Sequence, residues 1–432
     1  SVRTMSPQLT LQTPLELAPS EVPTYLEQLW SPEQQGSTGT GANTFSLLIW
    51  QPAWAEQQLV RSGRLKGPIT GQQSDSLVAA GRQVVVDADL PLSTPPLDGE
   101  VIAAAAAFDG QTQSEDLRGQ YIDPALSALQ PRRLITLAPT IDSGKGLETL
   151  VAAYCPLPEE GGGTAACGDV VVLRGGHNAL QDGMNILQPL LPPSMPSWVW
   201  WNGFLDEAPA LMEQLACAPR RLIIDTAVGS PRHCLDLLRH WVTTGQPVND
   251  LNWLRLSSWR ETLAMVFDPP HRRDALSHIV RLDIDVEGHH PAQGLLLAAW
   301  IADRLGWSLD HTEATEEGTA ARFRRADGTE VIFQLMSVPM GQPSVHAGQL
   351  VGLRLICQPD DGKGVCVILC AESGGCMRLE GGGMASLDLH EEVVPAQHST
   401  PEMDVARLLS GGHDSTNPLL AAAAPLAARL LA

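Results

Sequence analysis

Three thiols fall within one short stretch, VCVILCAESGGC, at Cys366, Cys370 and Cys376, and Cys357 lies a little upstream. Thiols at this density can fill a core, bind a soft metal or pair as a redox switch. Zinc requires thiolates in close pairs such as C-x-x-C, so that four ligands converge tetrahedrally. The spacings here contain no such pair, which argues against a metal. Free cysteine packs as a small hydrophobe, so core filler stays open for all four. If residues 364–372 and 375–381 form a hairpin about Ser373-Gly374-Gly375, Cys370 and Cys376 stand nearly opposite one another. Facing residues there have Cα atoms about 4.5 Å apart, within reach of a disulfide. So short a loop gains only about 2 kcal/mol from crosslinking, and reduction would then leave the domain folded. On the residues alone a redox pair and inert core thiols both remain open; sulfurs aimed at opposite faces of the sheet would favour an inert scaffold.

A second group is Trp253, Arg255, Trp259 and Arg260 within NDLNWLRLSSWRETLAMVFDPPHRR, the most basic stretch of the chain. Tryptophan and arginine are the side chains that anchor protein interfaces, which makes these four candidates for partner contact. The alternative is that the two indoles cement neighbouring domains.

Other motifs carry less. VVVLRGGHNALQDG has the order strand, Gly175-Gly176, helix, without the G-x-G-x-x-G spacing of a dinucleotide site, so a tight turn into a helix is the simpler reading. Gly175, Gly176 and His177 are the residues to inspect for a second reading, an enzyme binding a nucleotide or sugar phosphate at the strand ends. DSGKG is not a phosphate-binding loop, and G-x-S-x-G and H-E-x-x-H are missing. Asp283, Asp285 and Glu287 alternate with Leu282, Ile284 and Val286, as on a strand with one solvated face, and His289 and His290 read as surface residues. No cofactor or metal is expected.

Against 49 acidic residues the chain has 28 lysines and arginines, a net charge of −21. That field repels phosphate backbones and anionic lipid, so neither nucleic acid nor a membrane is an expected partner. No apolar run reaches the length of a membrane span and no export signal is visible, so a cytoplasmic location is expected.

The elements that must position these residues fall into two styles. Short apolar runs at 44–50, 82–88, 100–108, 132–138, 149–155, 169–175, 197–201 and 220–226, with helical patterns between some of them, predict an α/β domain with a mostly parallel, helix-covered sheet. Ser230 and Pro231 predict the start of a further helix, through Val242. Beyond residues 243–250 come one amphipathic helix from Asn252 to Phe267, an apolar helix over 290–307, and strands joined at Asp327-Gly328. These predict an α+β domain with an antiparallel sheet. The organisation is a flexible segment over 1–43, an α/β domain over 44–245, an α+β domain with the cysteine hairpin over 246–390, and a helical tail over 391–432.

Five segments occur in order: GANTFSLLIWQP (41–52), RRLIIDTA (220–227), NDLNWLRLSSWRETLAMVFDPP (249–270), ARFRRADGTEVIF (321–333) and CAESGGCMRLEGG (370–382). Together they resemble the glucose-6-phosphate dehydrogenase assembly protein family, OpcA, in its cyanobacterial branch. The resemblance implies a non-catalytic partner that binds glucose-6-phosphate dehydrogenase, promotes its active oligomer and so controls the oxidative pentose phosphate pathway and NADPH supply. It further implies a thioredoxin target whose redox disulfide is Cys370–Cys376, with oxidation favouring activation. To Cys155, Cys167, Cys217, Cys234, Cys357 and Cys366 it lends no role; of these, Cys357 and Cys366 are kept as secondary thiols because they neighbour the pair.

Overall fold

The structure, a computed structural model, describes residues 9–11, 15–29, 45–50, 132–139, 146–156, 168–203, 205, 208–217, 219–339, 348–360, 364–372, 387–395, 401–411 and 415–431. The runs at 82–88, 100–108 and 375–381 lie outside them. The chain forms two compact units. One takes in Ser1–Asp225, Gln246–Val248 and Thr400–Ser415, the other Thr226–Gly245, Asn249–Ser399 and Thr416–Ala432. Each is an α/β assembly built on a mixed sheet.

The first sheet runs β1 (Leu9–Leu11), β5 (Glu148–Pro156), β6 (Gly168–Gly175), β4 (Arg132–Pro139), β3 (Phe45–Trp50), β7 (Ser197–Trp201), β8 (Arg221–Ile224), β9 (Val248–Asp250), with β2 (Leu15–Leu17) also on β5. Its centre is parallel, as expected: β6, β4, β3, β7 and β8 all point one way. Phe45–Trp50 is buried along its whole length because it sits mid-sheet. A strand covered on both faces has no use for polar alternation. At β5 the sheet turns antiparallel, a departure from the parallel expectation that makes this sheet mixed. Arg133 and Asp169, register partners on β4 and β6, form a bidentate pair at 2.9 and 3.2 Å. The helices here include α1 (Val22–Leu29), α2 (His177–Asp182) and α3 (Pro209–Leu215).

The second sheet runs β11 (Ser308–Thr315), β12 (Gly318–Arg324), β13 (Glu330–Val338), β10 (Ile279–Glu287), β14 (Gln349–Cys357), β15 (Val365–Ala371), β16 (Asp388–Val394). The expected antiparallel sheet is corrected here: β10 lies parallel to β13, and β15 parallel to β16. From β10 the chain crosses through the helix Ala292–Leu305 to β11 at the far edge and comes back by two antiparallel pairings, so β13 arrives beside β10 pointing the same way. The β12–β13 hairpin forms as expected, with Gly328 at φ +83° in its turn, a conformation that side chains with a Cβ resist.

Helices of this unit include α4 (Pro231–Thr244), α5 (Leu251–Leu254), α6 (Ser257–Val266), α7 (Ala292–Leu305) and α8 (Pro418–Leu430). Ser230 occupies the cap position of α4 but its side chain makes no capping bond, so Pro231 alone carries the start signal. The single helix expected over 252–267 is two helices. Leu256 donates to Trp253 O at 3.0 Å, a tight turn that redirects the chain between them. α7 is apolar nearly all round and is buried against the sheet. A Cβ on Gly294 would lie 2.5 Å from Leu335 Cδ1 and 3.0 Å from Val286 Cγ1, so glycine sets how closely helix and sheet approach. α8 buries Leu420, Ala423, Ala424, Ala427 and Leu430 and packs against α4 and α7.

Candidate functional site

The face of the second sheet that meets α7 carries Ile284, Val286 and Leu335, and the register extends it through Leu353 to Leu369. Side chains alternate along a strand, so Cys366, Ile368 and Cys370 of β15 lie on the opposite face. There they join Ile356 in a buried apolar cluster, with Val280 and Leu387 packed at its edge. Cys370 is disulfide-bonded. Cys376 lies outside the described residues, whereas Cys217, Cys234, Cys357 and Cys366 are free.

The simple hairpin expected around the cysteines is corrected by the pairing of β15. Both its edges are taken, by β14 on one side and β16 on the other. Cys370 therefore stands in register with Gly352, which has no side chain, and with Val393. The two secondary thiols are deeply buried. Burial, reinforced by Cys366, pushes the Cys357 thiol up to about 12 against the pull of Arg325. Burial likewise pushes Cys366 up to about 11; Arg354 opposes the rise, while Asp283 and Glu391 add to it. The thiolate is the reactive form, so both are chemically quiet near neutral pH.

Beside the cysteine row, on the same face, runs a charged ladder. Arg281 Nε donates to both oxygens of Asp283 at 3.0 Å and its Nη2 donates to Gln334 Oε1 at 3.0 Å. Arg354 lies 3.6 Å from Asp283 and 3.8 Å from Asp285. The acidic alternation is thus not a solvated face, as the sequence suggested, but a half-buried row neutralised by arginines from its own and the next strand. Burial pushes the Asp285 carboxyl up, Arg354 opposes this and Asp283 adds to it. Among the described residues no group of three or more His, Cys, Asp or Glu is placed to hold a metal ion.

The basic segment builds a different structure. Asp250 caps α5, accepting from Asn252 N at 3.0 Å. The same carboxylate accepts from Thr226 N at 3.0 Å and from the Thr226 hydroxyl at 2.7 Å. Asn252 Nδ2 donates to Thr226 Oγ1 at 3.0 Å, Gln293 Nε2 to Asn252 Oδ1 at 3.1 Å, and Leu350 N to Gln293 Oε1 at 2.8 Å. This buried chain ties Thr226, α5, α7 and β14 together. Trp253 and Trp259 are buried. The Arg260 guanidinium lies 4.2 Å over the Trp253 ring, and burial lowers its pKa, with Glu261 pulling the other way. Arg255 Nη2 is 3.4 Å from Asn252 Oδ1. Neither Thr226 nor Gln293 stood out in the sequence, because nothing local marks a hydroxyl or amide whose partner is tens of residues away.

His290 is another correction. It is buried, with Nε2 3.0 Å from Gly229 O, and is not a surface residue. In the first unit, a Cβ on Gly175 would lie 3.2 Å from Ala179 Cβ and 3.4 Å from Leu147 Cδ1, which fits a tight strand-to-helix turn. His177 starts a helix of six residues and its ring lies 5.7 Å from that of Trp50. Trp50 stacks on Trp201 at 4.5 Å, a pairing the sequence did not reveal although the two stand in register at the ends of adjacent parallel strands.

Two mixed sheets with helices, a disulfide-bonded cysteine in an inner strand and a buried polar brace under a Trp/Arg segment define an α/β protein of two units. Comparison with known proteins places it further. Residues 123–240 match the family model described as the glucose-6-phosphate dehydrogenase subunit N-terminal domain, and 246–424 the one described as the corresponding C-terminal domain. The chain is 32% identical to OpcA of Synechococcus elongatus over 92% of each chain. It is 31% identical to OpcA of Nostoc punctiforme, over 91% of this chain and 89% of that one. Both relatives are named as OxPP cycle proteins. The chain belongs to the OpcA family. Among solved structures, biliverdin reductase from Synechocystis is 12% identical with a TM-score of 0.35, covering 60% of this chain and 82% of that one, a likeness too slight to carry fold or function across.

Proposed function

We propose that this chain is a non-catalytic assembly factor and allosteric activator of glucose-6-phosphate dehydrogenase, acting in the cytoplasm and setting flux into the oxidative pentose phosphate pathway. Membership of the OpcA family, whose models are named for subunit domains of that dehydrogenase, is the observation that carries the reading. An activator without a catalytic group works by binding the active conformation or oligomer more tightly than the inactive one. A coupling of about 1–3 kcal/mol changes apparent affinity roughly 5- to 150-fold.

The activity is tuned by a disulfide between Cys370 and Cys376. Support comes from the bonded state of Cys370 and from the free state of Cys217, Cys234, Cys357 and Cys366. A thioredoxin dithiol reduces the bond in two exchange steps. Its first thiolate attacks one sulfur, giving a mixed disulfide and a free cysteine thiol, and its second thiolate resolves that intermediate. Two electrons and two protons pass to this chain, and thioredoxin leaves as its disulfide. Arg255 and Arg260 form part of the partner contact, with Trp253 and Trp259 as their buried support.

The test uses purified dehydrogenase from the same organism, assayed for rate and sugar-phosphate affinity with the oxidised chain and again after thioredoxin reduction. Stimulation that falls on reduction, and no longer responds in a Cys370→Ser/Cys376→Ser variant, is expected. Stimulation indifferent to redox state would return these cysteines to the core, and none in either state would sink the activator reading.

A further inference from the structure

We propose that the outer strand β16 is the docking edge for the dehydrogenase, through the stripe Leu389, Glu391 and Val393, and that its occupant is a dehydrogenase segment presenting apolar side chains about a lysine or arginine. This rests on the activator reading above and assigns it a surface.

Among the described residues β16 is the last strand of its sheet. From Leu389 onward exposed side chains alternate with partly covered ones, His390 and Glu392, up to Val394. Val394, on the helix side, is buried, while Leu389 and Val393, on the other, are 50% and 52% exposed. Large aliphatics left half in water at both ends of one short edge strand form a stripe, unlike exposed apolar residues scattered singly, which need no explanation. Edge strands are commonly guarded by charge, and this one carries Asp388, Glu391 and Glu392. His390 sits 3.3 Å from Glu392, which leaves Glu391 as the carboxylate between the two aliphatics.

Charge selects the occupant. Pairing two copies edge to edge would set the Asp388, Glu391 and Glu392 carboxylates of one strand beside those of the other, and like charges facing across strands are destabilising. A strand or loop with a cation at its centre satisfies Glu391 while its flanking apolar side chains cover Leu389 and Val393. Two continuities favour the dehydrogenase as that partner. Leu389, Glu391 and Val393 are the register partners of Cys366, Ile368 and Cys370, so the stripe lies directly beside the disulfide-bonded cysteine. α6, which carries Arg260, packs against the same strand. A change of bond at Cys370 therefore acts next to the surface that meets the partner.

The test measures binding of the oxidised full-length chain to the dehydrogenase by titration calorimetry at low and high salt. Leu389→Asp/Val393→Asp should weaken binding by about tenfold or more. Met265→Asp, at a position 62% exposed on α6, should leave it unchanged. Glu391→Lys, a milder variant should the first disturb the fold, should weaken binding most at low salt, where charges are least screened. A folded double variant that binds like the wild type overturns the proposal while the activator reading stands. Wild-type chain that does not bind removes that reading and this one together. A wild-type dimer, seen by sedimentation and lost in the double variant, would assign the stripe to a second copy and likewise overturn it.

Discussion

Asp250 grips Thr226 twice, accepting from its backbone N–H at 3.0 Å and its hydroxyl at 2.7 Å, and spends a third acceptor site on Asn252 N. The segment NDLNWLRLSSWRETLAMVFDPP, one of the five that carry the family resemblance, thus owes part of its pattern to a buried brace. Removing one partner of such a network strands the others, at about 1–3 kcal/mol for each buried group left unsatisfied. Asp250→Ala should lower stability by about 3 kcal/mol in chemical denaturation, and Thr226→Val by less. An Asp250→Ala variant as stable as the wild type would show that water replaces the carboxylate.

Trp253 supplies both core volume and the platform under Arg260. Trp253→Ala should cost about 3–5 kcal/mol, as for a large buried aromatic. Arg260→Ala should cost about 1 kcal/mol, the scale of one cation–π contact. Stability and partner binding are therefore separable only through the arginines. In a binding assay with the dehydrogenase, Arg255→Ala/Arg260→Ala should weaken the complex while the melting curve stays close to wild type. Unchanged affinity would remove this segment from the contact.

Thiol reactivity should follow burial. Of the free described cysteines, Cys217 is exposed, and it should alkylate quickly in the native protein at pH 8, with Cys234, Cys357 and Cys366 protected until unfolding. Peptide mapping after timed iodoacetamide treatment reads this directly. The raised thiols also set a pH dependence. Their ordinary value is 9.0, against about 12 for Cys357 and about 11 for Cys366 in the fold. The folded state keeps these protons longer than the unfolded one. Their contribution is thus intact below pH 9 and is lost as the pH climbs through 11 to 12. Cys357→Ala/Cys366→Ala should flatten the fall in stability over that alkaline range.

Gly294 tests the seam between α7 and the sheet. Adding a Cβ there would press on Leu335 and Val286, so Gly294→Ala should destabilise despite the better helix propensity of alanine. About 1–3 kcal/mol is expected for overpacking, and Gly294→Val should cost more. A Gly294→Ala protein more stable than the wild type would mean that Leu335 shifts rotamer at little cost.

Local pattern was enough to read much of the architecture. The apolar runs FSLLIW, RRLITLA and VVVLRG announce inner parallel strands because burial on both faces leaves no polar alternation. The Asp327-Gly328 turn announces its hairpin because few other residue pairs adopt that backbone. The ordered motifs already resemble the family that the comparisons show. Position among neighbours is another matter, since a strand's sequence reports which faces are buried and not which strand lies beside it. Only the fold decided that β15 has no free edge, that Asp283 and Asp285 meet arginines instead of water, and that His290 is buried. Trp50 meeting Trp201, and Thr226 meeting Asp250, were decided there too. Each depends on contacts between residues distant in sequence, whose loop-closure entropy is met by the whole core and by no local preference. The chemistry at Cys370 was legible as a possibility in CAESGGC. Its setting, with Gly352 on one side and an exposed Val393 on the other, belongs to the tertiary structure, because strand register is a property of the sheet as a whole.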